Sequence, residues 1–184
     1  MRSLAFALCL LAAPVSVSAK GLKITVEGEA NGVIEIDLLE EVAPEHAARI
    51  AELAEAGAYD GVVFHRVIDG FMAQTGDVQF GRLSGGTLDQ AGYGASDLPD
   101  LKAEFSDISF ERGVIGMARG PDLDSANSQF FIVLAPATHL DGAYTVVGRV
   151  TAGMEVVDAI KLGLGGNGKV LGTPDVMTSV TVTD

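Results

Sequence analysis

Leu22-Lys23-Ile24-Thr25-Val26 and Ile34-Glu35-Ile36-Asp37-Leu38 alternate apolar and polar residues, with Asn31-Gly32 between them. A period of two places the apolar set on one face of an extended strand, and Asn-Gly favours the tight turn that joins two such strands. The pair therefore reads as an N-terminal β-hairpin. Further on, Pro44 opens a helix in which Ala47, Ile50, Ala51 and Ala54 recur at helical spacing until Gly57 ends it. Short apolar runs at Val62 to Val67, Phe71 to Gln74, Gly113 to Ala118, Gln129 to Leu134 and Thr145 to Val150 are each bounded by Gly, Asp or Pro, as strands are. A second helix fits Met154 to Lys161, and Val176, Thr178, Val180 and Val182 form one face of a last strand. About eight strands and two helices, without a βαβ rhythm, predict a mainly β fold. So many short antiparallel strands avoid exposed edges most simply by closing into a barrel capped by the helices. From Thr75 to Phe110 the chain is rich in Gly, Asp and Ser, a long loop of the kind that carries a binding surface.

Composition narrows the function. The 184 residues are 48% hydrophobic and 20% charged, which suits one globular domain, and the net charge of -13 excludes a phosphate backbone as partner. Met1 to Ala19 holds one basic residue, Arg2, then an apolar stretch, then Val17-Ser18-Ala19. It reads as a cleaved export signal too short to anchor the chain in a membrane, leaving residues 20–184 as the mature domain. The only cysteine, Cys9, falls inside that segment, so the mature chain has no thiol for a disulfide or a nucleophile. With no Asn-x-Ser/Thr sequon either, a bacterial periplasm is the expected location.

Several familiar signatures fail. Gly163 to Lys169 has phosphate-loop spacing, but Val170 stands where Ser or Thr belongs and the segment follows a helix rather than opening one, so it reads as a turn. Asp122-Leu123-Asp124 begins like a calcium loop and breaks at Ala126. His46, His65 and His139 show no metal-ligand spacing, and no Gly-x-Ser-x-Gly elbow exists.

Two stretches carry more: Phe64-His65-Arg66-Val67-Ile68-Asp69-Gly70-Phe71-Met72-Ala73-Gln74-Thr75-Gly76-Asp77, and Ser128-Gln129-Phe130-Phe131-Ile132. With Tyr59-Asp60-Gly61, Gly116-Met117-Ala118 and Leu140-Asp141-Gly142 around them, the sequence from Leu22 to Val182 resembles the cyclophilin family of peptidyl-prolyl cis/trans isomerases. The resemblance implies a closed eight-stranded antiparallel barrel capped by two helices, a substrate groove on its outer face, and no cofactor. It makes Arg66 the catalytic group and places the proline ring against Phe71, Met72, Phe131 and Leu140. Gln74 and Gln129 become the polar residues that orient Arg66 and the substrate carbonyl, His65 lies at the groove edge, and Ala118 and Arg119 lie on the edge strand along which the peptide backbone runs. Taken one at a time, the apolar members read better as ordinary barrel core. Partners would be proline-containing polypeptides of exported proteins, with the chain a monomer.

Two departures stand out. His139 replaces the Trp that many eukaryotic members carry before Leu-Asp-Gly, so weak cyclosporin binding is expected, and Tyr144 replaces a groove histidine while keeping an aromatic wall. Arg119 stands where Asn is commoner and adds positive charge beside the groove. A non-catalytic peptide-binding module or holdase on the same scaffold is the alternative, and a peptide hydrolase a more distant one.

Overall fold

The computed structural model describes residues 20–184; the expected export signal lies outside the described residues. Nine strands and two helices follow in order: β1 (Gly21–Glu27), β2 (Gly32–Leu38), α1 (Pro44–Glu55), β3 (Val62–Val63), β4 (Arg66–Ile68), β5 (Met72–Thr75), β6 (Val114–Met117), β7 (Phe130–Val133), β8 (Val146–Ala152), α2 (Met154–Asp158) and β9 (Val176–Thr183). All pair antiparallel in one curled sheet of order β3-β9-β1-β2-β8-β6-β7-β5-β4. Alternation in Leu22–Val26 and Ile34–Leu38 produces the expected hairpin, with Ile24 opposite Ile34 and both buried.

The closed eight-stranded barrel needs correcting in two details. The run from Val62 to Val67, read as one strand, is divided at Phe64-His65: Val62 and Val63 pair with β9, whereas Arg66 to Ile68 pair with β5. That division makes nine strands, and the two ends of the sheet, β3 and β4, are joined by the covalent chain rather than by a ladder. The edge left at Phe64 to Val67 is covered by the segment after α2, through Phe64 N to Asp175 O (2.9 Å), Val170 N to His65 O (3.0 Å) and Val67 N to Gly168 O (2.8 Å). The second helix is also shorter than its pattern, ending at Asp158.

Strand register decides which side chains form a core and which face a ligand. One lateral row, Val67–Ala73–Ile132–Ile115, points inward and is buried in the main core with α1 and the β1–β2 hairpin. The row one residue away, Arg66–Gln74–Phe131–Gly116, points outward. There Met72, Phe110, Phe131 and Leu140 form a second apolar cluster on the convex side. One step along each strand thus separates the core from the pocket.

Helix α1 has Pro44 in its first turn and no side-chain cap from Ala43. Its end is satisfied from a distance: the Glu104 carboxylate accepts from Glu45 N (3.2 Å), His46 N (3.1 Å) and His46 Nδ1 (2.6 Å). Behind β7, the buried Tyr59 hydroxyl donates to Ser128 O at 2.8 Å, and its ring meets Phe130 edge-on.

Gly116 is where sheet and pocket meet. A Cβ there would lie 2.4 Å from the Phe131 ring and 2.6 Å from that of Phe110. Gly116→Ala is therefore expected to lower stability by ~1–3 kcal/mol through overpacking, read from urea midpoints, and to raise KM for proline peptides by shifting Phe131.

Candidate active site

The outward row builds a pocket of about 180 Å³. Phe71, Met72, Phe131, Leu140 and Tyr144 supply apolar walls, and Arg66 with Gln74 closes one side. Phe131 is fixed from two directions, stacked on Phe110 (5.8 Å between centroids) and edge-on to Tyr144 (5.9 Å). His139 packs on the outside of Phe71 at 5.4 Å.

Arg66 is half-buried and makes no salt bridge among the described residues. Burial pushes its pKa down from the usual value, with Tyr144 acting the other way. Neutral acceptors hold it instead. Nε donates to Asn167 O at 2.8 Å, and Nη1 donates to Gln74 Oε1 at 3.0 Å while lying 3.6 Å from Met72 Sδ. Gln74 Nε2 then donates to Gln129 Oε1 (3.0 Å), whose Nε2 donates to Gly94 O (2.8 Å). A backbone carbonyl only accepts and a guanidinium only donates, so this relay runs one way and fixes both amide orientations. Nη2 makes no hydrogen bond among the described residues, and Arg66 lines both the apolar pocket and the cavity beside it.

Arg119 stands across the pocket. Nη1 donates to Gly120 O and Nη2 to Ala143 O, both at 2.9 Å, and the guanidinium carbon lies 4.5 Å from the centre of the Tyr144 ring. Its Nε is buried without a partner, and it too has no salt bridge among the described residues. With Ala118 it separates the apolar pocket from a second cleft of about 240 Å³ that reaches Tyr93 and Gln129. The sheet ladder ends at Met117, so Ala118 and Arg119 continue just past β6, Ala118 N donating to Gln129 O at 2.9 Å.

Of the residues singled out in the sequence, nine surround the apolar pocket, Gln129 lies one bond behind it, and His65 lines the neighbouring cavity that shares Arg66 and Gln74 with it. His65 is 6% exposed and lines a cavity on the other side of Arg66, with Tyr93 and Lys169. Residues that sequence reasoning missed are Asn167, Gly94 and Tyr93. Asn167 belongs to the segment read only as a turn. There Leu164 pairs with Lys169, and Lys169 with Arg66, which brings the Asn167 carbonyl to the guanidinium.

Comparisons with known proteins bear on this site. Residues 22–182 match the family model described as cyclophilin type peptidyl-prolyl cis-trans isomerase/CLD. The chain belongs to that family. A Brucella suis relative, named a probable peptidyl-prolyl cis-trans isomerase, is 48% identical over 153 residues, 83% of this chain and 78% of its own length. The isomerase B of Bacillus subtilis is 41% identical over 122 residues, 66% of this chain and 78% of its own. A solved cyclophilin type isomerase from Cryptosporidium parvum shares the fold, with a TM-score of 0.74 at 20% identity over 91% of this chain and 99% of that one. The same protein in the presence of the dipeptide Ala-Pro gives a TM-score of 0.73 at 20% identity, covering 89% of this chain and 99% of that one. Cyclophilin-type isomerases interconvert the cis and trans forms of X-Pro bonds and need no cofactor, and this chain is an enzyme of that type.

His65 gives the site a pH signature. Neither ring nitrogen has a hydrogen-bond partner of good geometry, and burial lowers its pKa from 6.5 to about 4. Arg66 acts in the same direction, while Asp77, the Val63 backbone and Gln129 oppose it. The unfolded chain then binds a proton that the native state refuses, so stability is complete above pH 6.5 and falls as pH drops towards 4. Between pH 7 and 5 this amounts to ~2 kcal/mol. His65→Gln is expected to flatten that part of a Tm-against-pH profile.

Proposed function

We propose that Arg66 is the catalytic group of an exported isomerase that speeds the folding of other exported polypeptides. The supporting observation is that Arg66, its Nε and Nη1 fixed and its Nη2 unengaged, lines an apolar pocket of about 180 Å³.

Rotation about an X-Pro bond is slow because the nitrogen lone pair is delocalised into the carbonyl, with a barrier of ~18–20 kcal/mol. In the twisted transition state that pair returns to nitrogen and accepts a hydrogen bond that the planar ground state accepts poorly. A donor aimed there binds the transition state selectively. The apolar walls hold the ring by burial, and Arg66 Nη2 supplies the donor without transferring its proton. Ala118 and Arg119 offer backbone groups past the end of β6 for the flanking peptide, so side-chain sequence is read only weakly there.

Proline-containing polypeptides are the substrates in this reading, and the relative crystallised in the presence of Ala-Pro is consistent with it. Export rests on the n-region, apolar stretch and small-residue cleavage pattern of Met1 to Ala19, and bacterial periplasm follows as the compartment. His139 in place of Trp leaves a smaller ring beside Phe71, and weak cyclosporin binding is the expected consequence.

A charge-assisted hydrogen bond contributes ~1.5–3 kcal/mol, and each 1.36 kcal/mol is about a factor of ten in rate. Arg66→Ala should therefore lose roughly ten- to a hundred-fold in kcat/KM, measured by NMR exchange on a short X-Pro peptide, with the circular dichroism spectrum unchanged. Full activity in that variant would remove Arg66 from the mechanism, whereas a folded wild-type protein that accelerates nothing would leave a peptide-binding module instead. A second expectation concerns Arg119, whose charge no carboxylate of the described residues neutralises although the whole chain carries -13. Peptides with Glu near the proline should exceed their Gln counterparts in kcat/KM by roughly two- to five-fold at low salt. Arg119→Gln or high salt should abolish the difference.

A further inference from the structure

Asp77 lies outside the pocket and its bordering clefts, yet it is fully buried and all its bonds converge on one loop. Oδ1 accepts from Gln79 N (3.1 Å) and Phe80 N (2.8 Å), and Oδ2 from Gly92 N (2.7 Å) and Gly94 N (2.9 Å). Four backbone donors satisfy a charge that burial would otherwise penalise heavily. Gly92 and Gly94 flank Tyr93, which is 87% exposed. The turn made by these three residues has no ladder of its own, so the carboxylate takes the place of a ladder.

The close approach leaves no room for side chains. A Cβ on Gly94 would lie 2.2 Å from Asp77 Oδ1, while Gly92 has φ +101° and faces the His65 ring, whose nearest atom would be 3.2 Å from an added Cβ. What the loop delivers is the Gly94 carbonyl, the last acceptor of the relay that begins at Arg66. Without that acceptor, Gln129 is free to turn its amide over. Gln74 then loses the oxygen that receives its Nε2, and nothing keeps Gln74 Oε1 facing Arg66.

We propose that Asp77 is a positioning residue for the isomerase site, fixing the Gly92–Gly94 backbone so that its carbonyl sets the direction of the Gln129–Gln74 relay and hence the aim of Arg66. This rests on the reading of Arg66 as the catalytic group, and the two separate cleanly. Loss of rate in Arg66→Ala tests that reading alone.

The test is a cycle of Asp77→Asn, Gln129→Ala and the double variant, with kcat and KM measured at pH 7 by NMR exchange on one X-Pro peptide. Asn offers a single acceptor oxygen, so at least one pair of loop bonds is lost. A residue that acts only through Gln129 has nothing left to act on once that side chain is gone. The expected result is a fall in kcat of about ten-fold in each single variant, KM within two-fold of wild type, and a double variant no slower than the slower single. A merely structural acid would lower the melting temperature and leave kcat of the folded fraction unchanged. That result overturns the proposal, as does a double variant whose two losses multiply. Should Asp77→Asn not fold, Gly92→Ala strains the same turn without touching the carboxylate. It must show the same kcat loss and the same non-additivity with Gln129→Ala, and wild-type kcat in Gly92→Ala equally overturns the proposal.

Discussion

A guanidinium half-withdrawn from water and without a salt bridge among the described residues is the constraint around which the rest of the site is arranged. Pairing Arg66 with an acid would hold it more strongly, but it would also direct the fork to the acid and neutralise the charge that the twisted imide is to feel. Neutral acceptors avoid both effects. The Asn167 carbonyl and the Gln74 amide oxygen take Nε and Nη1, which fixes the plane of the fork and leaves Nη2 unengaged. Each acceptor is itself immobilised by something behind it: Asn167 by the pairing of Lys169 with Arg66, Gln74 by Gln129 and the Gly94 carbonyl.

Strand alternation makes this arrangement compatible with a stable protein. Val67, Ala73 and Ile132 bury inward from the same strands that turn Arg66, Gln74 and Phe131 outward. A second apolar cluster around Phe110 lines the outer surface there, so the pocket stands on packed side chains rather than on loops alone. Rigidity of that kind suits a reaction in which no bond is made or broken and selectivity between planar and twisted imide is the whole of catalysis. The groove is also a local exception to the charge of the chain, since Arg66 and Arg119 border one pocket in a protein whose acidic residues outnumber its basic ones 25 to 12.

Much of this was legible in the sequence because it depends on local periodicity or on an extended motif. The β1–β2 hairpin, α1 and the strand runs follow from patterns of two and of 3.6, and Phe64 to Asp77 carries the outward row of β4 and β5 intact. What escaped reading depends on contacts between segments far apart in the chain. Nothing in Val62 to Val67 reveals that Val62 and Val63 pair with β9 while Arg66 pairs with Gln74, so one apolar run reads as one strand. His65 falls at the break between β3 and β4, where alternation no longer fixes a face, and it lines the cavity beside the apolar pocket together with Arg66 and Gln74. Asn167 contributes only a backbone oxygen, 101 residues away, and main-chain acceptors leave no signature in side-chain identity. Asp77 was within the quoted motif, but its importance lies in four amide protons supplied by a loop that has no pattern of its own.

The central claim is that Arg66 is aimed before any substrate arrives. Its Nε–H proton reports on that directly, because the fold's own Asn167 carbonyl accepts it. Arginine-detected ¹⁵N NMR on residues 20–184, with the signal assigned by its loss in Arg66→Lys, measures both the solvent exchange and the order parameter of that N–H. The account predicts a slowly exchanging resonance with an order parameter close to that of rigid backbone, about 0.85, and little change when an X-Pro peptide is added. A signal averaged with solvent in the free enzyme, appearing only once peptide binds, would contradict it and would mean that the substrate, not the fold, orients the arginine.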